Sequence, residues 1–212
     1  MKYLYTVMLV LTFTSFAYSQ YDFRAGMGIS FGTTPSLTDY LNVTHPGQNL
    51  GVFGSSVIFS GEGGYILNNH YEIGVEVAYL INSYNFQENY GAYRLNYNII
   101  LPSIVNYYII KAKGYDFKFG GGIGPRIVSA NEQFGTTYGT NYSSTGFGIL
   151  LRADGNTTLG GNLYANIGVD LRYDFNGKPK NGSTYIHNNV YNDNVNFNSL
   201  SVTIRLGVSY IF

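Results

Sequence analysis

Cysteine and tryptophan are absent from this sequence, and charged residues are scarce. Without cysteine the chain can form no disulfide and cannot be a lipid-anchored lipoprotein. Charged residues make up 11% of the chain, against about 25% in typical soluble proteins. Twelve Lys and Arg balance twelve Asp and Glu without forming a basic run, which argues against a nucleic-acid partner. Tyrosine (22) and glycine (27) are abundant instead.

The N-terminal segment has the organisation of a cleaved signal peptide. Lys2 precedes an apolar run from Tyr3 to Phe16, and Ala17 and Ser19 place small residues before Gln20. The run is shorter than the ~20 residues of a membrane-spanning helix, and no basic stop-transfer segment follows it. We therefore predict that residues 1–19 are removed after export. Residues 20–212 then form a single domain.

Alternation with a period of two is the main pattern after residue 20, and no segment there shows helical periodicity. In Tyr21 to Phe31, apolar side chains occupy one face of a strand and polar or small residues the other. Eight strands are predicted in total: 21–31, 52–67, 71–87, 93–110, 115–129, 145–154, 163–176 and 198–212. The connections 68–70, 111–114 and 155–162 are short, whereas 34–51, 130–144 and 177–196 are long.

Charged residues separate a membrane barrel from a soluble β protein. Within the strands, all fifteen charges are assigned to the phase opposite the apolar face. A charge facing lipid costs up to ~2–4 kcal/mol at mid-bilayer, which explains this segregation. Since every backbone polar group in lipid needs a partner, an all-β chain must close into a barrel. The sequence therefore predicts an eight-stranded antiparallel up-and-down transmembrane β-barrel.

The predicted lumen is filled by eight acidic and seven basic side chains. An eight-stranded barrel is just wide enough for side chains to fill, and buried charges must be paired. We therefore expect a plugged lumen. The inward charges are Asp22, Arg24, Glu62, Glu72, Glu76, Arg94, Asp116, Lys118, Arg126, Arg152, Asp154, Asp170, Arg172, Asp174 and Arg205.

The fourth strand is an exception to the segregation of polar and apolar faces. Tyr93, Leu95 and Tyr97 are assigned to its outer face, which leaves Ile100 and Pro102 on its inner phase. This arrangement indicates either a small apolar pocket or a local shift of phase. Proline cannot donate to a ladder, so a bulge is predicted at Pro102.

Two segments and the chain end resemble known outer-membrane proteins. Val208, Tyr210 and Phe212 alternate up to a terminal phenylalanine, which resembles the signal read by the barrel-assembly machinery. Ile100–Tyr108 and the glycine-rich Gly120–Pro125 resemble motifs of the PorT-like family, although Ile100 stands where that family often has Glu. The resemblance implies a small barrel similar in size to OmpX, and it implies no reaction.

Motifs for catalysis or for cofactor binding are weak. His45, His70 and His187 lie in predicted loops and turns without metal-ligand spacing. Gly120–Gly124 lacks the Lys-Ser/Thr and the helix of a phosphate-binding loop. We therefore predict a non-enzymatic, monomeric outer-membrane protein without cofactor or metal, in contact with lipid and, during biogenesis, with the assembly machinery. Its role is structural or in surface interactions through its outer loops. The alternatives are a narrow channel for small solutes and a secretion-accessory barrel of PorT type.

Overall fold

Eight long antiparallel strands form a closed ring in a computed structural model of the chain, which describes residues 20–45, 47, 49–88 and 91–212. The predicted signal peptide lies outside the described residues. The ring strands are β1 (Tyr21–Thr33), β2 (Gly54–Asn68), β3 (Tyr71–Glu88), β4 (Gly91–Ala112), β5 (Tyr115–Phe134), β6 (Thr140–Gly160), β7 (Leu163–Phe175) and β12 (Ser199–Ile211). The loop between β7 and β12 contains four two-residue strands: β8 (Lys180–Asn181), β9 (Thr184–Tyr185), β10 (His187–Asn188) and β11 (Asp193–Asn194).

Each ring strand pairs with the next ring strand along the chain, and the pairing of the first strand with the last closes the ring. β1 pairs with β12, where Phe23 lies opposite Tyr210, and β5 pairs with β6. At one end the strands are joined by tight turns, such as Lys113–Gly114, where glycine adopts a φ of 84°. The opposite end carries the long connections. The predicted eight-stranded antiparallel up-and-down barrel is thus confirmed.

The outer surface of the ring carries a continuous apolar band, which we call the lipid belt. Side chains at alternate positions point outward, and large apolar groups occupy these positions around the ring. They stay 38–61% exposed to the surroundings, as expected of groups that face lipid. The lipid belt comprises Phe23, Met27, Ile29, Phe31, Val57, Phe59, Tyr65, Ile73, Val75, Val77, Tyr79, Ile81, Ile100, Ile104, Tyr108, Ile110, Phe117, Phe119, Ile123, Ile127, Phe147, Ile149, Leu151, Leu163, Ile167, Val169, Leu171, Tyr173, Phe175, Leu200, Val202, Ile204, Leu206, Val208 and Tyr210.

The ring is taller on one side than on the other. β3, β4, β5 and β6 have 18 to 22 residues, whereas β1, β7 and β12 have 13. The extra residues extend the tall side beyond the lipid belt at the long-loop end, where its outer face becomes polar. These outward polar residues are Ser83, Asn85, Gln87, Arg94, Asn96, Asn98, Ser129, Asn131, Gln133, Asn141 and Ser143.

Two of the predicted connections, the long one at 130–144 and the short one at 155–162, fall in segments that are largely strand. β5 continues to Phe134 and β6 begins at Thr140, so the predicted loop 130–144 is reduced to a short turn. β6 also runs on to Gly160, through most of the predicted turn 155–162. The segments 130–134 and 140–144 lack the apolar alternation because they lie outside the lipid belt. Gly155 lies beside Phe117 and Ile167 of the belt, but it has no side chain to continue the alternation.

A ten-residue helix, α1 (Pro35–Thr44), lies in the connection between β1 and β2, where the sequence predicted only loop. Proline at the first helical position suits a helix start, since its fixed φ is helical and it lacks the N–H that would be unpaired. Leu37, Tyr40 and Leu41 have the i, i+3, i+4 spacing of one helix face, and all three are buried. Across the described residues, no helix has the length and apolar character needed to cross a membrane.

The fourth strand has the opposite phase from the one predicted. Leu95 and Leu101 point inward and are fully buried, whereas Ile104 and Ile110 face outward and are about half-exposed. Arg94 shares this outward phase, so its assignment to the lumen is wrong. Above the lipid belt it faces solvent, where an unpaired charge costs little. No bulge occurs at Pro102, because the register of β4 is unchanged on its two sides.

Candidate functional site

The lumen is filled in two layers, and the layer nearer the tight turns is ionic. Side chains from every ring strand except β4 supply its charges, eight acidic and six basic. All of them are buried. The exposed fraction is at most 11%, taken for the side chain of each ion-paired residue and for the whole residue otherwise. We call this cluster the ionic layer: Asp22, Arg24, Glu62, Glu72, Glu76, Asp116, Lys118, Arg126, Arg152, Asp154, Asp170, Arg172, Asp174 and Arg205. Fourteen of the fifteen charges assigned to the lumen from the sequence lie here, and Arg94 does not.

Arg152 is the centre of the ionic layer. Its guanidinium lies 2.7 Å from Glu62, 2.5 Å from Glu76 and 2.7 Å from Asp170, with each distance between nitrogen and carboxylate oxygen. A further N–H donates to the hydroxyl of Tyr107 at 2.9 Å. Tyr107 points into the lumen because the phase of β4 is opposite to the predicted one. One fully buried cation thus links four strands, which uses the planar fork of arginine fully.

A second group of ion pairs lies nearer the tight turns. Arg24 pairs with Asp22 at 2.8 Å and also contacts Glu72. Lys118 lies 2.5 Å from both of these carboxylates, so two cations share two anions. The guanidinium carbon of Arg24 lies 4.7 Å from the centre of the Tyr107 ring, a cation–π distance that connects the two groups.

Arg126 lies where the ladder between β4 and β5 is interrupted. The register on either side would place Pro102 opposite Pro125, and neither proline has a backbone N–H to contribute. The guanidinium of Arg126 donates to the carbonyls of Pro102 at 3.3 Å and Gly124 at 3.2 Å, and it also pairs with Asp174. A side-chain cation therefore supplies hydrogen bonds at the point where the backbone cannot.

The second layer is apolar and closes the long-loop end of the lumen. We call it the apolar cap. Helix α1 and the loop between β7 and β12 pack onto the inner faces of the tall strands, which explains why β4 has apolar residues in both phases. The apolar cap comprises Leu37, Tyr40, Leu41, Ile58, Ala78, Leu80, Phe86, Tyr93, Leu95, Tyr97, Ile99, Leu101, Val128, Ala130, Ile186, Val195 and Phe197.

One carboxylate is buried in the apolar cap, although the sequence placed it in a loop. The hydroxyls of Tyr40 and Tyr93 each donate to Glu132 at 2.8 Å. Burial and the neighbouring carboxylate both raise the pKa of Tyr40 well above its usual value, so its hydroxyl stays protonated and can donate. This bond fastens α1 to β5. The sequence did contain one indication that Glu132 points inward: it continues the alternation of Val128 and Ala130.

A space of about 180 Å³ opens at the tight-turn end of the ionic layer, where Asp116 and Lys118 line it, and the cavities deeper in the lumen are small. A cavity of about 30 Å³ lies beside Phe197 in the apolar cap, and one of about 10 Å³ lies beside Arg24. Each has room for about one or two water molecules. Beyond the space at the tight-turn end, the lumen is therefore packed with side chains.

The three histidines lie in three different connections of the chain. His70 lies in the turn between β2 and β3, and His187 in the loop after β7, where a ring nitrogen is 2.9 Å from Asn194. His45 is buried at the end of α1, with its ring centre 4.0 Å from that of Tyr93. Within the described ranges, no three His, Asp or Glu side chains are arranged to hold a metal ion.

The end of the chain lies on the outer surface beside the start of β1. Val208, Tyr210 and Phe212 all point outward and are about half-exposed. The N–H of Phe212 donates to the carbonyl of Tyr21 at 2.9 Å, and its ring lies 5.8 Å from that of Phe23. The last residues thus close the ring against β1. Their role as an assembly signal stays a prediction.

No family model and no curated protein matches the sequence, whereas several solved outer-membrane proteins have a similar fold. Neisserial surface protein A is similar with a TM-score of 0.52 at 15% identity, covering 91% of this chain and 97% of that chain. This chain has the fold of small bacterial outer-membrane barrel proteins. A major outer-membrane protein of Thermus thermophilus gives a TM-score of 0.53 at 13% identity, covering 91% of this chain and 99% of that chain. The attachment invasion locus protein Ail of Yersinia pestis, in complex with the heparin analogue sucrose octasulfate, gives 0.51 at 14%, covering 92% and 99%.

Proposed function

We propose that this chain is a non-enzymatic integral protein of the bacterial outer membrane, with a closed lumen and a surface-binding role at its long-loop end. The observation that carries the proposal is the filling of the lumen by the ionic layer and the apolar cap. A barrel that transports solutes needs an open path, whereas a display scaffold needs a rigid wall and ordered outer residues. This molecule has the second set of properties.

The lipid belt supports the location. Burying one large apolar side chain is worth about 1.5–3 kcal/mol, and the lipid belt exposes dozens of them at the outer surface. Exposed apolar patches on soluble monomers rarely exceed a few hundred Å². A continuous apolar band around a closed ring is therefore stable only in contact with lipid. We infer export by the predicted signal peptide, with the tight turns in the periplasm and the long loops outside.

The apolar cap supports a role in surface interactions. Loops that serve only as connections need no buried core, but here α1 and the loop before β12 are fixed by buried contacts and by the Tyr40–Glu132 hydrogen bond. Ordering these segments in advance lowers the entropic cost of binding a partner. The structure of Ail with a heparin analogue is consistent with surface binding by a barrel of this shape.

Single-channel recording in planar bilayers tests the closed lumen against the narrow-channel alternative. We expect no conductance steps after insertion of the folded protein, with insertion verified by heat-modifiable migration of the recovered sample. As a matched control, the same recording is made with Leu37→Asp, which disrupts the apolar cap and leaves the ionic layer in place. Reproducible steps with the native chain would overturn the proposal.

A secretion-accessory role of PorT type is a second candidate, supported by one observation. The two segments that carry the PorT-like resemblance lie side by side, with Ile104 opposite Ile123 and Asn106 opposite Gly121. Motifs that pair in space form one structural unit of the wall. Deletion in the native host, followed by quantification of secreted proteins, tests this candidate. Unchanged secretion would refute it, and the closed-lumen proposal would be unaffected.

A further inference from the structure

A cleft of about 590 Å³ opens on the outside of the wall, where the short strands β1, β7 and β12 end. Its floor is formed by Tyr173 and Leu200, which belong to the upper edge of the lipid belt. Asp39 of α1 and Tyr191 of the last long loop form other parts of its lining. The cleft therefore lies on the low side of the ring, at the boundary between the lipid belt and the outer loops.

Three asparagines hold the lining of the cleft in place with their carbonyl oxygens. Asn188 accepts from the N–H of Val190 at 3.1 Å, and Asn196 accepts from the N–H of Asn198 at 3.2 Å. Asn198 in turn accepts from the N–H of Gly177 at 3.1 Å. In the part of the chain that the structure describes, the amide NH₂ groups of these three residues have no protein acceptor. The cleft thus offers fixed hydrogen-bond donors.

The charges of the cleft are acidic. Neither lysine nor arginine lines it, and Asp39 is exposed without an ion-pair partner among the described residues. Asp193 also lines the cleft, but Lys178 lies 2.8 Å from its carboxylate and lowers the pKa of that carboxyl. An anionic ligand such as a phosphate or a sulfate would meet repulsion from Asp39 without a compensating cation in the lining.

We propose that this cleft binds an uncharged saccharide, which would be the ligand class of the surface-binding role proposed above. Sugar hydroxyls both donate and accept, which matches Asp39 as acceptor and the asparagine amides as donors. Tyr191 and Tyr173 offer flat apolar surfaces for the C–H faces of a sugar ring. The volume is within the ~300–1,000 Å³ of small-molecule sites and suits one or two sugar units.

Saturation-transfer NMR on the full chain in phosphatidylcholine nanodiscs tests the proposal. The probes are methyl glucoside, methyl galactoside and N-acetylglucosamine, with sucrose octasulfate as the anionic comparison. We expect transfer to at least one uncharged sugar and none to the sulfated sugar. A second preparation contains a neutral glycosyl diacylglycerol in the nanodisc. If this lipid competes with the soluble sugar, the natural ligand is a glycolipid of the same membrane. If it does not compete, the natural ligand is a soluble glycan.

Two variants connect binding to the cleft. Asp39→Ala and Tyr191→Ala remove exposed side chains that support no ring strand, so the barrel should fold normally, and we expect each to weaken binding at least about tenfold. Tyr138→Ala is the matched control, because Tyr138 is 99% exposed in another loop. The proposal is overturned if no uncharged sugar binds, or if both cleft variants bind as the native chain does. Conductance of the same protein after insertion into a planar bilayer reports separately on the closed lumen.

Discussion

Replacing Arg152 with methionine tests whether the ionic layer stabilises the barrel. The substitution keeps a long side chain but removes the fully buried cation that contacts Glu62, Glu76 and Asp170. The ionic layer would then contain eight acidic and five basic groups. Removing one partner of a buried pair typically costs about 3–5 kcal/mol, because the remaining charge is left without compensation. For a chain of this size, that loss corresponds to a decrease of roughly 6–20 °C in the unfolding temperature.

Heat-modifiable gel migration measures this change directly, as the temperature at which the fast-migrating folded band disappears. Arg152→Lys should fall between the native chain and Arg152→Met, because lysine keeps the charge and loses the planar fork. Adding Glu62→Gln to Arg152→Met should restore part of the stability, since it removes one uncompensated anion. Lys178→Met is the control, because it breaks an ion pair exposed to solvent, where no measurable shift is expected.

Two outcomes would refute this reasoning. If Arg152→Met unfolds within about 2 °C of the native chain, the ionic layer contributes packing rather than charge compensation. If Glu62→Gln further destabilises Arg152→Met, uncompensated charge is not the cause of the loss. If Arg152→Met does not fold at all, Arg152→Lys alone and with Glu62→Gln still permits the comparison.

Three further predictions concern other parts of the wall. Ile104→Arg should lower the free energy of unfolding in lipid vesicles by about 2–4 kcal/mol, whereas Asn96→Arg on the same face above the lipid belt should leave it unchanged; equal effects would contradict the phase of β4. The raised pKa of Tyr40 means that its stabilising contribution is present below about pH 10 and is lost above it, so Tyr40→Phe should remove one late-ionising tyrosine from an ultraviolet titration. Gly124→Ala should prevent folding because a Cβ there meets backbone, while Gly61→Ala, with open space around it, should fold and show the usual gel shift.

The sequence was sufficient for the ring because lipid imposes a simple rule on each strand. Alternation predicted all eight ring strands. The predicted first residue agrees closely with the observed one for each strand that lies within the lipid belt at both of its ends. The extensions of β5 and β6 were missed because, outside lipid, either face tolerates polar residues. Alternation therefore loses its apolar marker beyond Ile127 and before Phe147.

The phase of the fourth strand could not be predicted because both of its faces are apolar for different reasons. Leu95 and Leu101 are apolar because the cap packs on them, whereas Ile104 and Ile110 face lipid. Arg94 is the single charge in the predicted strand 93–110, and it agreed with the wrong phase because it lies above the lipid belt, where charge carries no information about phase. The cap itself depends on α1, which is too short for its periodicity to stand out.

The unequal strand heights make the molecule directional within the plane of the membrane. On the tall side, β3 to β6 extend beyond the lipid belt and would block the approach of neighbouring molecules in the membrane. On the low side, β7, β12 and β1 end near the bilayer surface, so glycolipids or other barrels can approach there from the side. The cleft beside Tyr173 opens on this low side. Rotation about the membrane normal would therefore decide what the protein meets, and a fluorescent label at Ser143 or Ser199 could report that orientation in crowded membranes.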